Sequence, residues 1–68
     1  MLSQYEKDKL KEGAIKIRKT LPSASIESMY QSFLFVASRA SQSFDEQQKE
    51  EIKQIISDSI KEYNKELN

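Results

Sequence analysis

The order of apolar and polar residues divides the chain into three amphipathic segments joined by short polar stretches. In each segment the apolar residues recur every three or four positions, the spacing that places them on one face of an α-helix. The first segment begins with Ser3 and Glu6, which have the spacing of a capping box. Pro22 ends it, because the residue before a proline is disfavoured in helical geometry. Its apolar stripe consists of Leu10, Ala14, Ile17 and Leu21.

The second segment has an unusually broad apolar face, which suits a helix that must contact two neighbours. Either Ser23 or Ser25 is a suitable N-cap for it. Phe35 is the exception, because at 100° per residue it points roughly opposite the centre of that face. The face consists of Ile26, Met29, Tyr30, Phe33, Leu34, Val36, Ala37 and Ala40.

The third segment is predicted to begin with a capping box at Ser43 and Glu46, with the apolar Phe44 between them. Its stripe consists of Ile52, Ile56, Ile60, Tyr63 and Leu67, with Ile55 beside it. We therefore expect helices over about residues 3–19, 24–41 and 45–66 in a single domain, 1–68. Because the connections are short, successive helices should pack antiparallel. The predicted fold is all-α, an antiparallel up-down-up three-helix bundle.

The chemistry of the side chains argues against catalysis. The chain contains neither histidine nor cysteine, so the usual nucleophile-and-base arrangements and thiolate metal sites cannot be assembled from it. Carboxylate pairs would need a desolvated cleft, for which three short helices leave little room. We expect a binding protein with no cofactor, no metal and no enzymatic activity.

The longest apolar run, residues 33–37, is much shorter than the ~20 residues that cross a bilayer. The first residues lack the charged and apolar segments of a signal peptide. The expected location is therefore the cytoplasm.

Charge is unevenly distributed although the formal total is zero. Residues 1–22 hold six cations against three anions, and residues 44–68 hold four cations against seven anions. Lys7, Lys11 and Arg18 cluster on one side of the first helix. Two interpretations stay open: neighbouring helices complement each other, or a basic surface meets an anionic partner such as lipid headgroups. Nucleic acid is disfavoured, since the last helix, which reads DNA in many three-helix domains, is acidic.

Phe35 is the strongest candidate for partner binding, together with its neighbour Leu34. Ile15 likewise falls outside the stripe of the first helix. If these residues share a surface, they indicate a protein-binding site or a homodimer seam; alternatively, rotation of the helices hides them. The rings of the tyrosines are expected to be buried at helix contacts. Gly13 is interpreted as a tolerated imperfection in its helix; the alternative is that it allows a close approach between helices.

From Leu21 to Ile60 the chain resembles the immunity proteins of pediocin-like bacteriocins, especially the enterocin A immunity family. The resemblance is carried by the broad apolar helix ending in residues 34–37, a short polar turn, and the acidic, glutamine-bearing start of the last helix at residues 44–55. Family members are typically four-helix bundles of about a hundred residues with a C-terminal extension linked to specificity. The first family helix and that extension have no counterpart in this chain.

The resemblance implies a function that depends on binding and involves no catalysed reaction. A family member is expected to work at the cytosolic face of the membrane by holding a bacteriocin–receptor complex, in which the receptor is the mannose permease. Peripheral contact between the basic first helix and anionic lipid would fit that location. Two other functions remain open: a small regulatory module that binds a protein or, with less support, DNA, and a dimerisation module.

Overall fold

Three packed helices make up the computed structural model, which describes residues 2–67. They are α1 (Gln4–Thr20), α2 (Ile26–Arg39) and α3 (Glu46–Leu67). No strand occurs between residues 2 and 67. The prediction of an all-helical, three-helix fold is therefore confirmed, and each helix end lies within two residues of its expected position.

Side-chain caps define where the helices begin. At α1, the Ser3 hydroxyl accepts a hydrogen bond from the Glu6 amide at 3.2 Å, and the Ser3 amide donates to the Glu6 carboxylate at 3.0 Å. This is the predicted capping box. Ser25 caps α2 by accepting from the Ser28 amide at 3.0 Å.

The capping box of α3 lies two residues later than predicted. Asp45 and Gln48 form it, with the Gln48 amide donating to Asp45 at 2.7 Å and the Asp45 amide donating to Gln48 at 3.1 Å. The prediction of Ser43 and Glu46 was wrong. Phe44 stays outside the helix when Asp45 is the cap, and its ring packs against the core.

A serine in left-handed geometry closes α2. Ser41 has φ 61°, a value that favours glycine. Its amide donates to the Ser38 carbonyl at 3.1 Å, and the Gln42 amide donates to the Ala37 carbonyl at 2.8 Å. These two bonds form a Schellman motif, which turns the chain towards α3.

The core is built around α3. Helices α1 and α2 both pack mainly on α3, whereas the contact between α1 and α2 is the smallest of the three. The buried apolar cluster consists of Leu2, Ala14, Met29, Tyr30, Ile52, Ile56 and Ile60, and Ala37 is also buried. Ser59 is also buried, and its hydroxyl donates to the Ile55 carbonyl at 2.7 Å, so its polar atom is satisfied.

Four residues of the predicted apolar stripes are exposed instead. Leu21 lies past the end of α1, and Leu67 lies at the end of α3. Val36 lies on the edge of α2, and Ala40 is the residue that follows its end. Because α1 and α2 contact each other so little, the broad face of α2 is only partly covered. The expectation that it packs fully against two neighbours was wrong at this edge.

Gly13 lies against Phe33 of α2, as the alternative of a close helix approach expects. A Cβ atom at this position would lie 2.7 Å from Cζ and 2.9 Å from Cε1 of Phe33. Real Cβ atoms are almost never that close to another carbon. Gly13 therefore makes room for the Phe33 ring against α1, and its interpretation as a tolerated imperfection was wrong.

Candidate functional site

A groove of about 280 Å³, which we call the apolar groove, opens between α1, the second half of α2 and the turn that follows α2. Its walls are formed mainly by carbon, and Glu6, Lys9 and Gln42 are the polar residues among its lining. The apolar lining consists of Leu2, Tyr5, Leu10, Phe33, Val36, Ala37, Ala40, Phe44 and Ile52.

The groove lies where α1 and α2 contact each other little and small side chains occur at the end of α2. Ala37 and Ala40 leave space that larger residues would fill, and the Phe33 ring leans towards Gly13. The floor reaches Ile52 of α3, which is buried. An apolar partner side chain entering the groove would therefore contact the core directly.

Two large apolar side chains stand exposed on the rim of the groove. Tyr5 is 70% exposed and Val36 is 64% exposed. The ammonium of Lys9 lies 5.5 Å from the centre of the Tyr5 ring, a cation–π contact that orients the ring. The expected burial of the tyrosine rings holds for Tyr30, which is buried, and is wrong for Tyr5. Tyr63 is half-buried.

The outward side of α2, which we call the outer face, carries the predicted candidate Phe35. Its ring is 63% exposed, and the Arg39 guanidinium lies 5.9 Å from the ring centre. Phe35 and Leu34 line the same shallow depression, whereas Ile15 does not line it. Leu34 is half-buried and packs against the core, and Ile15 is half-buried on α1. The structure thus brings together two of the three predicted residues, and Phe35 is the more accessible of them.

The predicted basic surface is engaged in contacts within the chain. Lys7 pairs with Glu51 at 3.6 Å and Lys11 pairs with Glu62 at 3.4 Å, both between α1 and α3. The Arg18 guanidinium donates to the Pro22 carbonyl at 2.6 Å. These contacts favour the interpretation that the basic α1 and the acidic α3 complement each other, and they compete with binding of lipid or nucleic acid.

Two carboxylates are stabilised in their ionised form by local hydrogen bonds. The Ser3 amide and hydroxyl lower the pKa of Glu6 at the start of α1. The Gln31 side chain and then the charge of Lys53 lower the pKa of Glu27 on α2. Both groups are solvated carboxylates that accept hydrogen bonds, an arrangement that serves capping and pairing.

The arrangement of side chains offers an apolar contact surface. Among residues 2–67 there is no group of three or more Asp or Glu side chains placed to hold a metal ion. No helix within the same range is both long enough and apolar enough to cross a bilayer. What the groove can do chemically is bury apolar side chains of another molecule.

Comparison with protein-family models, with curated proteins and with solved structures finds no match to this chain.

Proposed function

We propose that this chain is a binding protein. Its apolar groove accepts apolar side chains of a protein partner. The observation that carries the proposal is the groove itself, an apolar cleft whose rim holds two exposed side chains, Tyr5 and Val36. Its volume, about 280 Å³, suits a few side chains of a partner helix. Desolvating Tyr5 and Val36 on binding would add to the affinity, since exposed aromatic residues commonly dominate protein interfaces.

The proposal extends to the biological role, which is bacteriocin immunity. The support for this part is the resemblance of residues 21–60 to the enterocin A immunity family. The proposed partner is the complex of a pediocin-like bacteriocin with the mannose permease, held from the cytoplasmic side so that no pore opens. The role requires contact and no chemical step.

An up-down-up course of the helices is part of the same proposal. Lys7 and Lys11 follow one another along α1, and their partners Glu51 and Glu62 follow in the same order along α3. That order supports parallel α1 and α3, with α2 running in the opposite direction. The groove then lies beside the start of α1 and the end of α2.

Expression of the chain in a bacteriocin-sensitive strain tests the role. We expect survival at bacteriocin concentrations that kill the parent strain, and loss of protection for Tyr5→Asp. The new carboxylate lies in the first turn of α1, where the helix dipole tolerates it, while it places charge on the groove rim. Leu67→Asp is the matched control, because Leu67 is 67% exposed at the far end of α3 and does not line the groove.

Two measurements distinguish loss of partner binding from loss of folding, and binding of the permease from the immunity role. Circular dichroism of each variant must match the parent chain, so that loss of protection reports on binding. Co-purification with detergent-solubilised mannose permease, with bacteriocin present, should succeed for Leu67→Asp and fail for Tyr5→Asp. Unchanged killing by every pediocin-like bacteriocin tried, at verified levels of folded chain, would rule out the immunity role.

A further inference from the structure

Aromatic rings from three parts of the chain line the apolar groove. Tyr5 comes from α1, Phe33 from α2, and Phe44 from the turn before α3. The chain has three phenylalanines and three tyrosines, so half of its rings lie around one groove. Phe33 and Phe44 are half-buried and Tyr5 is exposed, so part of each ring is open to a bound group. Such a lining favours a bound group with a ring of its own, because paired rings attract each other beyond the burial of their apolar area.

The size of the groove matches one ring system. A protein cavity of about 150 Å³ is large enough to bind benzene, and this groove has a volume of about 280 Å³. A phenyl, phenol or indole ring therefore fits together with the carbon atom that joins it to a backbone, and little room is left for a second ring. Because Ile52 on the floor is buried, an inserted ring would end against the core.

The charges on the rim complement a ring better than an aliphatic chain. An aromatic ring has a negative face and a positive edge. The Lys9 ammonium, 5.5 Å from the centre of the Tyr5 ring, is exposed and within reach of a second ring beside Tyr5. Its ion pair with Glu12 is exposed on both sides and contributes little. Glu6 also lines the groove, and the Ser3 amide and hydroxyl lower the pKa of Glu6, so an anion is available to the ring edge.

We propose that the protein partner fills the apolar groove with one aromatic side chain. The ring packs among Tyr5, Phe33 and Phe44, with the Lys9 ammonium near its face. This inference rests on the proposed function, because it names the kind of side chain that the partner inserts, and it does not depend on the immunity role. It predicts a partner that exposes phenylalanine, tyrosine or tryptophan as its anchor, in keeping with the aromatic residues that dominate many interfaces.

Two capped amino acids of similar shape test the preference for a ring. N-acetyl-phenylalanine amide carries an aromatic ring, whereas N-acetyl-cyclohexylalanine amide carries a saturated, more apolar ring of similar size. Their binding to the full chain is followed by backbone amide shifts in two-dimensional NMR. We expect both compounds to shift the amides of Ala37 and Ala40 and to leave that of Leu67 in place. The phenylalanine amide should bind about threefold to tenfold more tightly.

The possible outcomes separate this inference from the proposed function. If the cyclohexylalanine amide binds as tightly or more tightly, the aromatic preference is wrong and the groove remains an apolar binding site. A ligand of this size reaches a dissociation constant of about 1 mM. If neither compound shifts the groove amides at about 10 mM, well above that value, the proposed function and this inference are both overturned.

Tyr5→Leu distinguishes the contribution of a ring from that of apolar surface. Because Tyr5 is 70% exposed, the variant should keep the fold, as circular dichroism checks, and it retains an apolar side chain on the rim. The preference for the phenylalanine amide should fall about threefold. Phe35→Leu should keep the full preference, because Phe35 is 63% exposed but does not line the groove. An equal preference in both variants would show that the Tyr5 ring does not contact the bound ring.

Discussion

Replacing Gly13 by alanine sets a gain in helix stability against a clash with Phe33. In the middle of a helix, alanine is more favourable than glycine by about 0.8–1.0 kcal/mol. The added methyl group would lie 2.7 Å from the tip of the Phe33 ring, well inside ordinary carbon–carbon contact. Over-packing of this kind costs about 1–3 kcal/mol.

The cost at this site belongs at the low end of that range. The Phe33 ring is half-buried and borders the apolar groove, so it has space into which it can move. We therefore expect the two effects nearly to cancel, and Gly13→Ala should change the free energy of unfolding by less than about 0.5 kcal/mol. In a Phe33→Leu background, which lacks the ring tip, the same change should stabilise by about 1 kcal/mol.

Urea or thermal unfolding followed by circular dichroism measures all four chains. A stabilisation of about 1 kcal/mol corresponds to a rise in Tm of about 4–8 °C for a domain of this size. The four free energies give a coupling between residues 13 and 33 of about 1 kcal/mol. If Gly13→Ala stabilises both backgrounds equally, the glycine does not make room for the ring and the packing argument is wrong.

Three further predictions concern the turn, a cap and the core. Ser41→Gly should stabilise the chain by about 0.5–1 kcal/mol, because the left-handed backbone at φ 61° strains a serine and suits glycine; chemical denaturation checks this. Ser3→Ala should cost about 1 kcal/mol and raise the pKa of Glu6 towards its ordinary value, as NMR titration would report. Since the pKa of Glu6 is lowered in the folded chain, the stability linked to it is present above the unfolded pKa and is lost as pH falls through the folded value. Ile56→Ala should cost about 2–5 kcal/mol because Ile56 is fully buried; Ile15→Ala, at a half-buried position, should cost clearly less, and equal losses would contradict the assigned core.

Most of the fold follows from local signals in the sequence. The period of apolar residues locates all three helices, and Ser3 with Glu6 and Pro22 mark the limits of α1 because caps and prolines act over three or four residues. The displaced capping box at Asp45 shows the limit of this reasoning. Two overlapping boxes fit the sequence, and packing of Phe44 against the core distinguishes them.

The groove could not be predicted in the same way, because it depends on how far apart two helices pack. A helical wheel places Val36 on the broad apolar face of α2, and only the small contact between α1 and α2 leaves it exposed. Tyr5 lies at the start of α1, where no neighbouring helix covers it. The one local signal available was the pair Ala37 and Ala40, whose small side chains indicate either close packing or open space.

The helices are held to α3 by two kinds of contact that respond differently to salt. Lys7 and Lys11 join α1 to α3 through exposed ion pairs, as Lys53 joins α3 to Glu27 of α2, and added salt screens all three. The apolar contacts of both outer helices, such as Ala14 of α1 and Met29 of α2, are strengthened by sulfate because excluded salts favour apolar burial. At equal ionic strength, sulfate should therefore stabilise the bundle more than sodium chloride does, because the screening is similar and the apolar contribution differs.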